Sequence, residues 1–239
     1  FYVNDASTTI VKYRVGTLSG NTITLEAETT ALTAASSVAA GFFSASYIGV
    51  DKGVLVIKAA TTTSSAVICF TSSGTTMTFG SAVTPLGTQS QKNTQTLIKN
   101  IGVNKFVIVT MDASNSVYGQ VGTISTRTIT MGNELQISNA TSVQSYEGFQ
   151  VFSPESDIFL VRYEETSTSF NLVACTVSTR TITAGTVVTS SSSSDGAAGG
   201  FWMPDTSTIY VTAKDGRIIK FTLATRTITS VGLIGCIIS

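Results

Sequence analysis

In this 239-residue sequence, an acidic residue followed by an aromatic residue recurs at similar positions along the chain. A carboxylate can accept hydrogen bonds from sugar hydroxyls, and an aromatic ring can stack on the apolar face of a sugar. The combination predicts a carbohydrate site, although acidic residues are also common in turns. The acids are Asp5, Asp112, Glu164 with Glu165, and Asp215, and the aromatic residues that follow three of these places are Tyr13, Tyr118 and Phe170. The single tryptophan, Trp202, is a further candidate for ligand binding.

Three arginines occupy the same place in a second motif. The motif reads STRTIT at 125–130, STRTIT at 178–183 and ATRTIT at 224–229, and its arginines are Arg127, Arg180 and Arg226. A guanidinium group offers a planar fork of donors to a sugar or a carboxylate. We therefore predict contacts at these three tips, with solvated turn residues as the alternative interpretation.

The residue types needed for most catalytic and metal sites are missing or scattered. The sequence has no histidine, so a Ser-His-Asp or Cys-His arrangement cannot form. It contains no GxSxG or P-loop motif, and Asp112–Ser116 lacks the glycine and the terminal glutamate of a calcium loop. The 14 acidic residues include no pair that stands out for glycoside hydrolysis. We expect a protein that is not an enzyme, with no metal and no cofactor.

Charge and hydropathy exclude two further classes of partner. The 14 basic residues balance 14 acidic residues, and no basic run is present, so nucleic-acid binding is not expected. No apolar run reaches the length of about 18 residues that a membrane-spanning helix needs, so membrane insertion is not expected. The cysteines, Cys69, Cys175 and Cys236, each lie in an apolar run and are predicted to be buried thiols.

The Thr-rich motif belongs to a hairpin that is repeated five times. The copies cover 16–24, 70–78, 122–130, 175–183 and 221–229, and their central apolar residues are 54, 52, 53 and 46 positions apart. In the first copy, a two-residue turn at Gly20-Asn21 pairs Leu18 with Ile23, between a Ser19–Thr22 pair and a Thr17–Thr24 pair. The dipeptide Thr-Arg does not suit the positive φ angles of such a turn, so we predict four-residue loops in the three Thr-Arg copies.

A β-rich run begins 20 to 24 residues before the central apolar residue of each of the last four hairpins. These runs are VLVIKA from Val54, FVIVTM from Phe106, IFLVRY from Ile158 and TIYVTA from Thr208. Each follows a polar turn and another short strand, which gives four strands per repeat and no need for a helix. A period near 50 residues is typical of a propeller blade. We predict one all-β domain over 1–239, a five-bladed β-propeller of four-stranded antiparallel blades, rather than a β-solenoid or two stacked sandwiches.

The two ends of the chain are predicted to share one blade. The first repeat lacks its first strand, while the last is followed by the apolar run VGLIGCIIS at 231–239. Placing this tail beside the opening residues FYV would complete the fifth blade and close the ring. The start within strand-like sequence also suggests a processed piece of a longer chain.

The repeats resemble those of known virion proteins. VGTLSGNTITLEAE and VGTISTRTITMGNE, each set with strands such as NKFVIVTMDASNS, are similar to tandem repeats of bacteriophage tail-fibre and other virion proteins over essentially the whole chain. This resemblance implies a propeller on a virion or extracellular surface that attaches to a host. Its partners would be a cell-surface glycan or other virion proteins, with oligomerisation within a fibre.

Two other functions remain open at this point. The five copies also resemble five-bladed lectins of the tachylectin type, which would imply a free-standing multivalent glycan-binding protein. A five-bladed glycosidase is the second alternative, and it would require two carboxylates that converge at one mouth of the channel.

Overall fold

The computed structural model describes residues 2–4, 7–33, 38–59, 65–84, 96–111, 116–138, 149–166, 169–190, 200–213 and 216–236. These residues form antiparallel β-sheets and no helix, as the sequence predicts. No described segment is therefore a helix that could cross a membrane.

The strands fall into five consecutive units that match the sequence repeats. Unit 1 contains β1 (Tyr2–Asn4), β2 (Ser7–Tyr13), β3 (Gly16–Ser19), β4 (Thr22–Leu25) and β5 (Thr29–Thr33). Unit 2 contains β6 (Val38–Gly49), β7 (Lys52–Ala59), β8 (Ser65–Ser73) and β9 (Thr76–Phe79). Unit 3 contains β10 (Leu97–Gly102), β11 (Lys105–Met111), β12 (Val117–Ser125) and β13 (Thr128–Ser138).

The last two units follow the same order. Unit 4 contains β14 (Gln150–Glu155), β15 (Ile158–Thr166), β16 (Ser169–Ser178), β17 (Thr181–Ala184) and β18 (Val188–Thr189). Unit 5 contains β19 (Phe201–Trp202), β20 (Thr208–Thr212), β21 (Arg217–Ala224) and β22 (Thr227–Cys236). Each of units 2 to 5 pairs its four main strands in chain order, and unit 1 pairs β1 with β2, β2 with β5, and β3 with β4.

All five hairpins turn through two residues, so the predicted four-residue loop is wrong. Ser125 pairs with Thr128 in unit 3 as Ser19 pairs with Thr22 in unit 1. The first turn residue has a positive φ angle in every copy: Gly20 (58°), Gly74 (57°), Thr126 (54°), Thr179 (56°) and Thr225 (55°). A β-branched residue is strained at this angle, so the surrounding pairing and packing must hold it there.

The predicted closure by the tail is also not what the structure shows. Residues up to Cys236 continue β22 and pair with β21, with Ile219 opposite Leu233 and Arg217 opposite Cys236. The strand β22 is longer than the Thr motif because a register shift lets it bend and continue. The strand β13 is extended in the same way. Residues 231–236 are therefore the second half of β22 rather than a strand beside β1.

Each hairpin of units 2 to 5 packs on the unit before it. Its central apolar residue joins a core cluster that contains residues of the preceding unit: Met77 with Val11, Ile129 with Val67, Ile182 with Val121, and Ile228 with Leu172. Of these central residues, Ile129, Ile182 and Ile228 are 5–6% exposed. The core thus lies between neighbouring units, and the hairpins cover its edge.

At three of these junctions the hairpin tip packs against a glycine. An ideal Cβ on Gly80 would lie 2.1 Å from the carbonyl oxygen of Arg127. The same distance is 2.2 Å from Gly132 to the Arg180 oxygen and 2.2 Å from Gly185 to the Arg226 oxygen. Any side chain at these positions would displace the tip, so the glycine is required for the close approach.

The turns between the first two strands of units 2 to 4 form a second set of contacts. Lys52 Nζ donates to Asn104 Oδ1 at 3.3 Å, and Lys105 Nζ forms an ion pair with Asp157 Oδ1 at 2.5 Å. Asn104 and Asp157 adopt φ angles of 55° and 63°, which Asn and Asp tolerate better than most residues. Each contact joins the start of a strand in one unit to the turn of the next unit.

We predict that Ile182→Ala lowers the free energy of unfolding by about 2–5 kcal/mol, because it removes a buried side chain from the junction of units 3 and 4. The matched control is Ile23→Ala at the same place in unit 1, where the side chain is 68% exposed. This control should change stability by less than about 0.5 kcal/mol. Urea unfolding at about 1 µM chain measures both values, and equal losses would contradict the assignment of the junction.

We predict that Gly185→Ala destabilises the protein by about 1–3 kcal/mol, since the added methyl group collides with the backbone of the Arg226 tip. Gly49→Ala is the matched control, because a Cβ at Gly49 meets no atom within 4 Å. Thermal unfolding of the two variants should show a lowered midpoint for Gly185→Ala alone. An unchanged midpoint for this variant would show that the tip does not rest on the glycine.

Candidate functional site

The structure places the sequence-predicted ligand residues in very different surroundings. Asp5, Asp112 and Asp215 lie outside the described residues, and the side chain of Glu165 is likewise not described. The predicted aromatic residues at the equivalent places are buried: Tyr13 is 5% exposed, Tyr118 is 9% exposed and Phe170 is fully covered. These three rings therefore pack in the protein interior.

Glu164 and Phe170, which the sequence predicts as part of a sugar site, lie next to each other. They are direct cross-strand partners on β15 and β16, and both are 0% exposed. Arg162, which the sequence analysis did not single out, completes the group. Its guanidinium carbon lies 5.0 Å from the centre of the Phe170 ring, and its Nη2 lies 3.9 Å from Glu164 Oε1. The three residues form a buried ionic cluster that no ligand ring can stack on.

Burial governs the ionisation of this cluster. Desolvation lowers the pKa of Arg162, and the nearby charge of Glu164 opposes the shift. A cation over an aromatic face gains further electrostatic attraction when it is desolvated. The arrangement suits a structural role in unit 4, because the guanidinium lies over the Phe170 ring and beside the Glu164 carboxylate.

Tyr13 links units 1 and 2. Its ring centre lies 5.7 Å from that of Phe79, and its hydroxyl oxygen accepts a hydrogen bond from the Met77 backbone nitrogen at 3.4 Å. The tyrosine thus contacts the hairpin of unit 2. An aromatic residue at position 13 is therefore explained by packing between units 1 and 2.

The arginine tips contribute backbone as well as side chain to the structure. Arg127 and Arg226 have exposed side chains and Arg180 is half-buried, while all three carbonyls lie against glycines of the preceding units. The Cys69 thiol donates to the Arg127 carbonyl at 2.6 Å. Cys69 and Cys175 are buried thiols, as predicted, and burial raises the pKa of Cys175 to about 12.

Trp202 is the sequence-predicted ligand residue whose ring is most accessible among those described. It is 40% exposed and lies on β19, opposite Tyr210 on β20. The two ring centres are 5.0 Å apart with an angle of 32° between the planes. We call this pair the aromatic platform. The tryptophan ring is large, and part of its surface faces solvent.

An acidic loop joins the two strands of the aromatic platform. Asp205 Oδ1 accepts hydrogen bonds from the Ser207 nitrogen at 2.7 Å, the Ser207 hydroxyl at 2.8 Å and the Thr208 nitrogen at 2.7 Å. The backbone bond from Ser207 is the main reason why the pKa of Asp205 lies below its usual range. None of these bonds uses Oδ2. The fully exposed carboxylate is therefore held in a fixed loop and stays charged at neutral pH.

Two open cavities lie beside the first strands of units 3 and 4. One of about 350 Å³ is lined by residues that include Asn100, Ser153 and Glu155. The other, of about 320 Å³, is lined by Lys99, Gln150 and Phe152 among others, with Lys99 Nζ 5.5 Å from the Phe152 ring centre. Their sizes lie at the lower end of the range for small-ligand sites. The described residues contain no group of three or more acids or cysteines that could hold a metal ion.

Comparison with known proteins supports the fold class. The chain is similar to the crystal structure of a protein from Lactobacillus plantarum, with a TM-score of 0.57 and 12% identity over 94% of this chain and 67% of that one. It is also similar, at a TM-score of 0.37 and 10% identity over 87% of this chain and 85% of the other, to the SapL1 lectin in complex with alpha-methyl fucoside. The second likeness is too weak to bear on fold or function.

No protein-family model matches the sequence, and no curated protein matches it either. The comparisons make no connection with phage tail fibres. The four-stranded antiparallel sheets and the likeness to the Lactobacillus protein are consistent with a β-propeller.

We predict that Glu164→Gln lowers the free energy of unfolding by about 3–5 kcal/mol, because it leaves a buried guanidinium without its carboxylate. Glu28→Gln is the matched control, since Glu28 pairs with Lys12 at the surface with 31% of its side chain exposed. The control should cost less than about 1 kcal/mol. Urea unfolding at pH 7 compares the two, and an unchanged stability of Glu164→Gln would contradict a stabilising pair between Arg162 and Glu164.

Proposed function

We propose that the chain is a non-enzymatic, five-bladed propeller module that binds a glycan through the aromatic platform of Trp202 and Tyr210. The observation that carries this proposal is the exposed tryptophan ring stacked beside a tyrosine, with a fixed carboxylate in the loop that joins them. Ring faces attract the apolar C–H face of a sugar, and a carboxylate accepts bonds from its hydroxyls. The two kinds of group together define the orientation of a bound sugar.

The geometry of the aromatic platform favours a shallow, exposed ligand. Trp202 and Tyr210 lie on neighbouring strands, so the sheet fixes the distance between their rings. Side chains held in this way lose little conformational entropy when a ligand binds. A terminal sugar of a surface glycan can reach such a site without entering a closed pocket.

Binding rather than hydrolysis is the activity that these groups support. The loop at 203–207 contains one carboxylate, Asp205, whereas glycoside hydrolysis commonly uses a pair of carboxyl groups about 5 to 10 Å apart. Glu164 is fully buried beside Arg162, which leaves it poorly placed to meet a substrate. These placements favour a module that holds its ligand unchanged.

Attachment at a cell or virion surface is the setting that we propose for this binding. The tandem repeats resemble those of phage virion proteins, and a module with one exposed glycan platform suits the recognition of a host surface. A lectin with a site in every blade is less favoured, because Tyr13, Tyr118 and Phe170, the repeated aromatic residues that would form such sites, are buried.

The single tryptophan provides a direct assay. A glycan array, followed by titration of the best ligand with Trp202 fluorescence as the readout, should give saturable binding. Trp202→Ala should weaken binding by about tenfold or more when it is measured by calorimetry, and Trp202→Phe should retain most of it. Tyr47→Ala, at a tyrosine that is 59% exposed elsewhere, is the matched control and should bind normally.

Three results would contradict the proposal. They are an array with no bound glycan, unchanged affinity in Trp202→Ala, and release of free sugar from the ligand during the titration. The last result would show that the module is an enzyme.

A further inference from the structure

The hairpin of unit 1, Gly16–Leu25, has an exposed apolar face, whereas the same face is buried in its copies in units 3 to 5. Leu18 is 72% exposed, Ile23 is 68% exposed and Leu25 is 60% exposed. At the same places in unit 4, Val177 is 7% exposed and Ile182 is 5% exposed. We call Gly16–Leu25 the open hairpin. It has the sequence of a junction hairpin, and the other four copies pack on a preceding unit.

A hairpin junction also needs a surface on which the hairpin packs, and in unit 5 part of the corresponding surface is exposed. In units 2 to 4 the residue four places after the first Thr of the second hairpin strand lies against the tip of the next hairpin, and we call this position the acceptor in every unit. The acceptors are Glu26, Gly80, Gly132, Gly185 and Val231. Hairpins of units 2 to 5 pack on the first four units. Val231, on unit 5, is 55% exposed.

The tips and the acceptors match by size along the chain. The three Thr-Arg tips lie on glycine acceptors. The tip of unit 2 is Gly74-Thr75, and the unit on which this hairpin packs has the larger acceptor Glu26. A glycine in the tip thus goes with a side chain at the acceptor. The open hairpin has the tip Gly20-Asn21, so its expected acceptor has a side chain, as Val231 does.

The open hairpin and the Val231 acceptor correspond to the two halves of a junction between units. Their exposure shows that neither is covered by the described residues. A contact between two different patches of the same molecule is heterologous, so it joins copies head to tail. Large apolar side chains that lie together on a surface commonly mark such an interface.

We propose that the open hairpin of one copy docks on the Val231 face of unit 5 of a second copy. Leu18 and Ile23 would then be buried against β21 and β22 of the neighbouring copy, as Val177 and Ile182 are buried against unit 3. The Gly20-Asn21 tip would lie against Val231. Repetition of this contact produces a head-to-tail series of copies, which would present one aromatic platform per copy.

Sedimentation velocity of the wild-type chain between about 1 and 100 µM tests the proposal, since a small apolar interface is expected to have micromolar affinity. The weight-average mass should rise with concentration. The double variant Leu18→Thr/Ile23→Thr and the single variant Val231→Glu should each weaken self-association by at least tenfold. Val103→Thr is the matched control, at a valine that is 87% exposed on another surface, and it should associate like the wild type.

Mixing the two deficient variants gives a sharper result. Each retains one intact half, so a mixture should form a dimer and nothing larger, because the other ends are blocked. The substituted side chains are exposed, and the thermal midpoint of each variant should therefore stay close to that of the wild type. A monomer at every wild-type concentration, or no dimer in the mixture, would overturn the proposal.

A disulfide test separates docking between copies from closure within one copy. Asn21→Cys and Val231→Cys are combined in a Cys236→Ser background and oxidised. Docking between copies predicts a ladder of multiples on a non-reducing gel. A cross-linked monomer, or no cross-link at all, would overturn the proposal.

Discussion

Neighbouring units of this protein are held at a fixed distance by a hairpin tip that lies on the backbone of the unit before it. At three junctions a carbonyl approaches so closely that only glycine leaves room for it. The tip in turn is a two-residue turn with a positive φ angle at its first residue, even where that residue is threonine. A strained turn persists only when its surroundings determine it, so strand pairing and packing between units must outweigh the strain. The order of the units and the shape of the core both follow from this contact.

Features within one repeat could be read from the sequence. Alternating Thr and apolar residues predict the hairpins, and the β-rich runs predict the buried strands, because both signals come from residues close together in the chain. The turn length was wrong in the Thr-Arg copies for the opposite reason. Local propensity disfavours Thr at a positive φ angle, and contacts with another unit decide the outcome. The glycine acceptors were likewise missed, since their importance lies in what a different unit places against them.

In the candidate site, too, the sequence predicts local strand pairing but not what surrounds the paired residues. Cross-strand pairing places Glu164 beside Phe170. The sequence does not reveal that both are buried with Arg162, since the pattern of acid and aromatic residue is equally compatible with an exposed sugar site and an interior charge cluster. Trp202 differs because its strand carries a long loop and its ring remains partly exposed. Exposure, rather than residue type, separates the two cases.

The position of the aromatic platform follows from where the contacts between units stop. In units 2 and 3 the first residue of the second strand is a lysine that reaches the turn of the next unit, which keeps that turn short. In unit 4 the same place is Ile158, which has no charge to offer to unit 5. The corresponding connection of unit 5 is consequently free of this constraint and extends over 203–207, where Asp205 organises it instead. A loop that no longer serves a junction can vary without loss of packing, which is where a repeat protein can acquire a binding site.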